Sequence, residues 1–151
     1  DLDYRPSFWS SIEEAGAAAR AAIANCSVVV GNRTECEMAI GLTDPNAIAD
    51  KFLADGVELA IVKLGAEGVM LATATERIRI APCKIKLVCG LGSGDAFGGA
   101  LAHGLIHNWP LQQIGEFANA AGAYVATKLT CADAMPTEPM LRDFIAEQQK
   151  I

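Results

Sequence analysis

The sequence predicts an α/β fold in which helices pack against a mostly parallel β-sheet. Two observations carry this prediction: short β-branched runs alternate with longer helical patterns, and Gly, Pro or Asn residues separate them. The chain has 151 residues, of which 52% are apolar and 6% aromatic. One domain over residues 1–151 can therefore bury an aliphatic core without help from disulfides or metal.

The first helix is predicted to begin at Ser10 or Ser11 and to run to about Asn25. Either serine can accept a hydrogen bond from a free amide in the first turn. Glu13 and Glu14 lie in that turn, where the helix dipole favours negative charge. Sequence position and side-chain chemistry therefore agree on where this helix starts.

Polar residues also mark the starts of the next two helices. Thr34 is predicted to cap a helix that runs to Ile40, with Glu37 at the capping-box position. Asp44 precedes Pro45, which is tolerated in the first turn of a helix, and this helix is predicted to reach residue 53. Three further helices are predicted from the glycine turn to residue 106, over 110–127 and over 139–149.

Five short apolar runs predict the strands of the sheet. The third and fourth flank a turn and predict a local antiparallel hairpin near residues 67–81. Gly98 and Gly99 in the central helix predict a small face that packs closely on the sheet. The predicted strands cover residues 27–30, 59–64, 69–72, 77–81 and 85–88.

Three alternating glycines, Gly90, Gly92 and Gly94, follow the last predicted strand and open a helical pattern. Such a turn lets the backbone approach a ligand closely, and the helix behind it directs free amides and the positive end of its dipole towards the turn. The sequence therefore predicts an anion site. Asp95 lies at the mouth of this site, where a carboxylate can accept the proton of a hydroxyl group. These groups together suit phosphoryl transfer to a hydroxyl.

Two better-known phosphate motifs do not fit this turn. The Walker A motif needs Gly-Lys followed by Ser or Thr, and the chain contains no Gly-Lys pair. The dinucleotide fingerprint needs a third glycine where Asp95 or Phe97 stands. An ordinary glycine turn with an Asp at the helix start remains the structural alternative.

Charge and cysteine content limit the other classes of function. A formal net charge of −6, with no Lys or Arg cluster, argues against a nucleic-acid partner. No apolar run approaches the ~20 residues of a membrane span, so no membrane association is predicted. The five cysteines form no Cys-x-x-Cys pair, which predicts reduced thiols and a cytoplasmic location. His103 and His107 have a spacing that suits zinc, but no third ligand is evident and no metal site is predicted there.

Polar clusters follow four strand-like runs, at residues 1–5, 32–35, 63–68 and 90–95. Ligands of open α/β sheets bind beyond the carboxyl ends of the strands, so we expect these clusters to form one site. The chain opens without Met, on charged residues that end a predicted strand and enter a polar loop. We therefore expect it to be a fragment whose amino-terminal part is absent.

The glycine turn continues as Gly92-Ser93-Gly94-Asp95-Ala96-Phe97, which closely resembles the Gly-Ala-Gly-Asp-Ala-Phe signature of the ribokinase (PfkB) family of sugar kinases. The resemblance implies a three-layer α/β/α sandwich, of which this chain would be the carboxyl-terminal, nucleotide-binding part. It implies Asp95 as the catalytic base and the amides of Gly92, Ser93 and Gly94 as an anion hole. It further implies ATP and Mg²⁺ as cofactors, K⁺ as a further candidate, and a sugar or sugar acid as substrate.

Other stretches extend this resemblance over the whole chain. Asn32 and Glu35 match the family's Asn-x-x-Glu, which implies an Asn near the nucleotide phosphates and a Glu that organises Mg²⁺ through water. Lys63, Gly65 and Gly68 match the family's loop under ATP. The resemblance therefore implies a second group of nucleotide-binding residues besides the glycine turn.

Two further residues and one departure complete the comparison. Asn119 lies in a stretch that looks like the helix whose Asn faces the adenine. Arg5 lies in a stretch similar to the family's Asp-x-Asn-x-Arg, which implies that it neutralises phosphates or an acidic sugar. Its neighbours Tyr4 and Pro6 favour a keto-deoxy-gluconate-like acid. Cys89 departs from the family, because many members carry an acid there, and this leaves the local cation site open.

Each of these residues also has a structural interpretation. Arg5 and Asp3 could form a surface ion pair, Glu35 could be a solvated helix residue, Lys63 could extend from a strand end, and Asn119 could hydrogen-bond within the core. Two other classes of function stay open as well. One is a nucleotide-binding module without catalysis; the other is a structural fragment whose sheet edge pairs with a second copy as a homodimer.

Overall fold

The computed structural model describes residues 1–150 and divides the chain into two compact units, Asp1–Arg79 and a unit that begins at Ile80. The elements of the first unit are α1 (Ile12–Ile23), β1 (Val28–Asn32), α2 (Arg33–Ile40), α3 (Pro45–Ala54), β2 (Leu59–Lys63), β3 (Val69–Ala72) and β4 (Arg77–Ile80), whose last residue opens the second unit. The second unit contains α4 (Ser93–Ile106), α5 (Leu111–Ala126) and α6 (Glu138–Gln148).

The four strands form one sheet in the order β1-β2-β3-β4. β1 and β2 run parallel with Asn32 opposite Lys63, whereas β2 and β3 run antiparallel. The predicted α/β fold is confirmed. β3 and β4, the strands of the predicted hairpin, are neighbours in the sheet and are joined by residues 73–76. The antiparallel pairing of β2 with β3 was not predicted, and it makes the sheet mixed. Because side chains alternate between the faces of a strand, Asn32 and Lys63 lie on one face, at the carboxyl ends of neighbouring strands.

The core of the first unit lies between this sheet and its helices. Ile48 and Phe52 of α3 are fully buried in the same apolar cluster as Ala60, Val62 and Met70 of the strands. Burial of a side chain as large as Ile or Phe contributes about 1.5–3 kcal/mol to folding. Ala60 and Val62 therefore anchor one face of β2, which leaves Lys63 to emerge on the other.

Two of the predicted helix starts are confirmed. The hydroxyl of Ser11 accepts a hydrogen bond from the amide of Glu14 at 3.2 Å, at the start of α1. The carboxylate of Asp44 accepts one from the amide of Ala47 at 2.9 Å, with Pro45 in the first turn of α3. In both helices the capping side chain satisfies an amide that has no partner within the helix.

The predicted cap of α2 is wrong, because Asn32 caps this helix in place of Thr34. Its Oδ1 accepts a hydrogen bond from the Glu35 amide at 2.9 Å, and Glu35 Oε2 accepts one from the Asn32 amide at 2.6 Å. Asn32 ends β1 in an extended conformation and the helix begins at Arg33. The capping box therefore starts two residues earlier than predicted, and its acid is Glu35, not Glu37.

The second unit is built on close contact between α4 and α5. A Cβ added at Gly104 would lie 2.9 Å from Ile114 Cγ1, and one added at Gly122 would lie 3.0 Å from the carbonyl oxygen of Ser93. The predicted role of Gly98 and Gly99 is wrong, since a Cβ at either would meet nothing within 4 Å. Small residues do allow close packing here, but at positions further along the helices.

Two predicted strands are absent from the described part of the chain. Residues 85–88 have no regular structure, and Leu87 and Val88 are 68% and 47% exposed. An extended run becomes a strand only when another strand pairs with it, and none does so within residues 1–150. Residues 1–5 likewise form no strand, although the Leu2 amide donates a hydrogen bond to the carbonyl of Val30 at 3.0 Å. None of the helices within residues 1–150 is both long and apolar enough to cross a membrane.

Candidate active site

The first unit gathers three predicted site residues at the carboxyl ends of β1 and β2. Asn32 and Glu35 are joined by the capping box, and Lys63 lies opposite Asn32 in the sheet. Lys63 Nζ is 3.6 Å from Glu35 Oε2 and 3.5 Å from Asp1 Oδ1. The side chains of Lys63 and Glu35 are only 21% and 12% exposed, so their charges are partly desolvated and hold each other in place.

Burial also determines the protonation state of the Cys36 thiol. Cys36 is fully buried, and desolvation raises its pKa to about 12, with the charge of Glu35 raising it further and Lys63 opposing the shift. A Cβ at Gly31 would lie 3.2 Å from its Sγ and 2.6 Å from Leu2 Cδ1. Gly31 therefore lets Leu2 pack beside Cys36, which brings Asp1 to Lys63, and the thiol stays protonated.

The predicted ATP loop follows directly after Lys63. Gly65 and Gly68 have φ angles of +60° and +87°, which favour glycine at both positions. The Gly68 amide donates a hydrogen bond to the Gly65 carbonyl at 3.0 Å, and the Gly68 carbonyl accepts one from the Leu64 amide at 2.8 Å. The two glycines thus close a tight turn at the end of β2.

An ion-pair cluster that sequence reasoning missed lies on this turn. Glu67 Oε1 is 2.9 Å from Arg33 NH1, and Glu67 Oε2 is 3.6 Å from Arg79 NH2. Arg33 lies within the Asn-x-x-Glu motif, and Glu67 lies within the Gly65–Gly68 turn. The sequence contains a signal for this pair, because opposite charges stand inside two motifs that follow neighbouring strands.

Arg5 forms a surface ion pair with Asp3, the structural alternative considered in the sequence analysis. Its Nε is 3.2 Å from Asp3 Oδ1, with side chains 58% and 64% exposed. Asp3 has a φ of +33°, a conformation uncommon outside glycine. An ion pair this exposed contributes little to folding, so its guanidinium can be recruited by another anion at small cost.

The second unit contains the glycine turn and the start of α4. Gly92 precedes the helix with a φ of +81°, and none of the described side chains caps its amides. The Ser93 amide and hydroxyl both donate to the Gly90 carbonyl, at 3.2 and 2.8 Å. The first-turn amides of Gly94 and Asp95 have no carbonyl within the helix to bond, so they remain donors for an anion.

Gly92 also touches the opposite wall of the turn. A Cβ at this position would lie 2.6 Å from Cys131 Sγ and 3.3 Å from its Cβ. Real Cβ contacts are essentially never that short, and the positive φ adds a second constraint. Both the backbone conformation and the packing therefore require glycine there.

Asp95 lies in the first turn of α4 and is exposed. It lines a cavity of about 330 Å³, together with Gly99, His103, Phe117 and Glu138. His103 Nε2 is 3.4 Å from Glu138 Oε2. No three His, Cys, Asp or Glu side chains within residues 1–150 are arranged to hold a metal ion.

Charges around Glu138 keep that carboxyl ionised. The hydrogen bond from Arg142 lowers the pKa of Glu138 below its ordinary value, burial opposes this, and the charges of Arg142, His103 and His107 add to the lowering. The Arg142 guanidinium lies 5.5 Å from the ring centroid of Trp109. Glu138, His103 and Phe117 give the lining of the cavity a charged and aromatic part.

Asn119 bonds the segment that leads into the glycine turn. Its Nδ2 donates to the Ala81 carbonyl at 3.0 Å and approaches Cys83 Sγ at 3.8 Å. Burial raises the pKa of Cys83 above its ordinary value. The amides of Val88 and Cys89 both donate to the carbonyl of Ala126, the last residue of α5, at 2.9 and 3.1 Å. The segment is thus attached to α5 at two points.

The structure therefore places the predicted residues in two groups. Asn32, Glu35 and Lys63 contact one another within the first unit, followed by the Gly65–Gly68 turn. Asp95 and the glycine turn belong to the second unit, in which Asn119 holds the preceding segment. Both groups consist of strand ends or helix starts with polar donors, as an anionic ligand requires.

Replacement of Asn32 by Ala is expected to lower the free energy of unfolding by about 0.5–2 kcal/mol, because the cap of α2 is lost. Asn32→Ser keeps an oxygen that can accept from the Glu35 amide and should stay within about 0.5 kcal/mol of the wild type. Urea unfolding measures both variants. Equal destabilisation by Ser and Ala would contradict the capping role.

The chain is similar in sequence to known proteins. Residues 1–138 match the family described as pfkB family carbohydrate kinase. A 5-dehydro-2-deoxygluconokinase of Geobacillus thermodenitrificans is 31% identical over 150 residues, which cover 96% of this chain and 44% of that protein. Other curated 5-dehydro-2-deoxygluconokinases align similarly, so the chain spans about half the length of the curated relatives it matches.

Solved structures show the same fold. The ribokinase of Thermotoga maritima is 28% identical with a TM-score of 0.76, over 84% of this chain and 44% of that chain. The aminoimidazole riboside kinase of Salmonella enterica, solved with aminoimidazole riboside and an ATP analog, is 25% identical with a TM-score of 0.83, over 95% of this chain and 50% of that chain. The fold is therefore ribokinase-like, and since the family match covers most of its length, this chain belongs to the pfkB family of carbohydrate kinases.

Proposed function

We propose that the chain is the nucleotide-binding part of an ATP-dependent kinase that phosphorylates a primary hydroxyl of a sugar or sugar acid. The observation that carries the proposal is the exposed carboxylate of Asp95 beside the uncapped first-turn amides of α4. A base next to an anion site is the pair of groups that phosphoryl transfer to a hydroxyl needs. Membership of a carbohydrate kinase family supports this function.

In the proposed mechanism Asp95 orients the acceptor hydroxyl and accepts its proton at a carboxylate oxygen. The backbone of Gly92, Ser93 and Gly94 is the proposed anion hole. The Ser93 amide donates to the Gly90 carbonyl, so the Gly94 amide, which no helix carbonyl engages, is the donor available to an anion. The positive end of the α4 dipole stabilises the charge that develops on the transferred phosphoryl group.

We propose that the nucleotide lies at the strand ends formed by Asn32, Glu35 and Lys63, over the Gly65–Gly68 turn. The donors present fit a polyphosphate: Asn32 uses its Oδ1 in the cap, which leaves its Nδ2 donor, and Lys63 is cationic. Mg²⁺ is usually held by nucleotide phosphates, water and one or two carboxylates. Glu35 is the proposed carboxylate. The ion would neutralise phosphate charge.

The proposed acceptor is 5-dehydro-2-deoxy-D-gluconate. Support comes from the names of the curated relatives at about 30% identity and from Arg5, whose weak surface ion pair leaves it able to bind an acidic sugar or a phosphate. K⁺ remains without an assigned role, because the thiol of Cys89 is a poor ligand for a hard cation. The five free cysteines support a reducing, cytoplasmic location, and we propose a homodimer formed along the exposed edge of the sheet.

The test is an ADP-release assay on the full-length protein with ATP, Mg²⁺ and 5-dehydro-2-deoxygluconate, with fructose and ribose as alternative acceptors. ADP release that depends on the sugar acid is the expected result. Release with another sugar would keep the kinase and reject the substrate. Nucleotide binding without release under any acceptor would favour the second candidate, a non-catalytic nucleotide-binding module.

A further inference from the structure

The cluster formed by Arg33, Glu67 and Arg79 has more positive than negative charge. One carboxylate faces two guanidinium groups, at 2.9 and 3.6 Å. All three side chains are about half exposed, at 42%, 54% and 57%. Such ion pairs are weak in water, so an incoming anion can compete with Glu67 for either arginine.

The position of Arg33 in this cluster is energetically unfavourable for one of its donor atoms. Its Nε is buried and is the one side-chain nitrogen or oxygen atom within residues 1–150 that is buried without a hydrogen-bond partner. A buried donor that has lost its water and gained no partner destabilises the arrangement that contains it. The position of the Arg33 guanidinium against Glu67 is therefore one that the side chain can leave at little cost.

The location of the cluster indicates which anion would compete. Arg33 stands between Asn32 and Glu35, at the start of α2, and Glu67 stands inside the Gly65–Gly68 turn. Both segments belong to the proposed nucleotide site, so this inference rests on the proposed function. A polyphosphate bound there would present several oxygens to a guanidinium, which suits bidentate pairing.

We propose that Arg33 exchanges partners when nucleotide binds, leaving Glu67 for a phosphate group of the nucleotide. Glu67 then acts as an internal competitor that holds Arg33 in the free protein and lowers the apparent affinity for the nucleotide. Arg79 remains to pair with Glu67 after the exchange, so the released carboxylate is not left without a cation. Arg33 is thus a phosphate-binding residue and Glu67 is a positioning residue.

The alternative is that the Arg33–Glu67 pair has only a structural role and keeps the Gly65–Gly68 turn in place. The two interpretations predict opposite signs for one variant. If the pair has only a structural role, Glu67→Gln and Arg33→Gln both weaken nucleotide binding. If Arg33 exchanges partners, Arg33→Gln weakens binding about tenfold, whereas Glu67→Gln tightens it about two- to fivefold, because the competitor is removed.

The experiment is a calorimetric titration of the full-length protein with ATP and Mg²⁺, and separately with inorganic tripolyphosphate. It compares the wild type, the two single variants and Arg33→Gln/Glu67→Gln. Arg77→Gln is the matched control, because Arg77 also lies on β4 and pairs with Asp50 at 2.5 Å, outside the cluster. Thermal unfolding of each variant establishes that it is folded before its titration is interpreted.

The double variant separates exchange from simple charge repulsion between Glu67 and the phosphates. Exchange predicts that the double variant binds like Arg33→Gln, since the gain from Glu67→Gln requires Arg33. An equal gain in both backgrounds, or weaker binding by Glu67→Gln, would overturn the inference while leaving the proposed function intact. Absence of ATP binding in the folded wild type would overturn both, and tripolyphosphate binding that ignores Arg33 would overturn the inference alone.

Discussion

Replacement of Asp95 by Asn is expected to lower kcat by about 10²- to 10⁴-fold, the range typical for loss of a general base. Asn has nearly the same shape as Asp but cannot accept a proton from the acceptor hydroxyl. Asp95 is exposed in the first turn of α4, so the change disturbs no packing. Nucleotide affinity should stay within about threefold, since a base acts on the transition state and contributes little to ground-state binding.

The measurement is sugar-dependent ADP release, with the affinity for ATP determined in parallel by titration. Asp143→Asn in α6 is the matched control, because it removes an exposed carboxylate from another helix of the same unit. A loss of helix-dipole stabilisation of about 0.3–1 kcal/mol is expected for Asp95→Asn alone. Retention of more than a tenth of the wild-type kcat would remove Asp95 from the role of base.

Gly92→Ala is expected to destabilise the fold more than a methyl group added at Gly90, where a Cβ would meet nothing within 4 Å. Ala at a φ of +81° costs about 1–2 kcal/mol for its left-handed backbone. Overpacking adds about 1–3 kcal/mol, because the new Cβ would lie 2.6 Å from Cys131 Sγ. The turn that relieves this clash no longer directs its amides at an anion, so kcat should fall by at least about tenfold.

Urea unfolding and ADP release measure the two effects on the same preparations. Gly98→Ala is the control, since a Cβ there meets nothing within 4 Å and Ala favours a helix by up to about 1 kcal/mol over Gly. Gly92→Ala/Cys131→Ala should recover the packing part of the loss but not the backbone part. Full recovery in the double variant would show that the left-handed conformation is not needed, and no recovery would reject the contact with Cys131.

The local signals of the sequence predict much of this structure. Ser11 and Asp44 cap helices as their chemistry indicates, and the turn between β3 and β4 follows from two short β-branched runs. The cap of α2 was harder to predict, because Asn32 and Thr34 are both good capping residues. Only the end of β1, which depends on pairing with β2, decides between them.

Contacts between distant residues account for what the sequence does not reveal. The motifs around Asn32, Lys63 and Asp95 can be recognised by their resemblance to a known family, whereas the pairing of Arg33 with Glu67 depends on how two loops meet. Gly104 and Gly122 look no different in sequence from Gly98, yet only the first two have a neighbour at Cβ distance. Residues 85–88 show that a strand cannot be predicted from its own residues alone, since they have a strand-like sequence but pair with no strand within residues 1–150.

The attachment of the segment before the glycine turn to α5 has a consequence for how the second unit unfolds. The Ala126 carbonyl is at the end of α5, where helix carbonyls lack partners, and it gains two donors from Val88 and Cys89. The segment in turn obtains its fixed points from Asn119 and Ala126. Neither can melt without exposing unpaired polar groups of the other, so the end of α5 and the entrance to the glycine turn form one cooperative unit of hydrogen exchange.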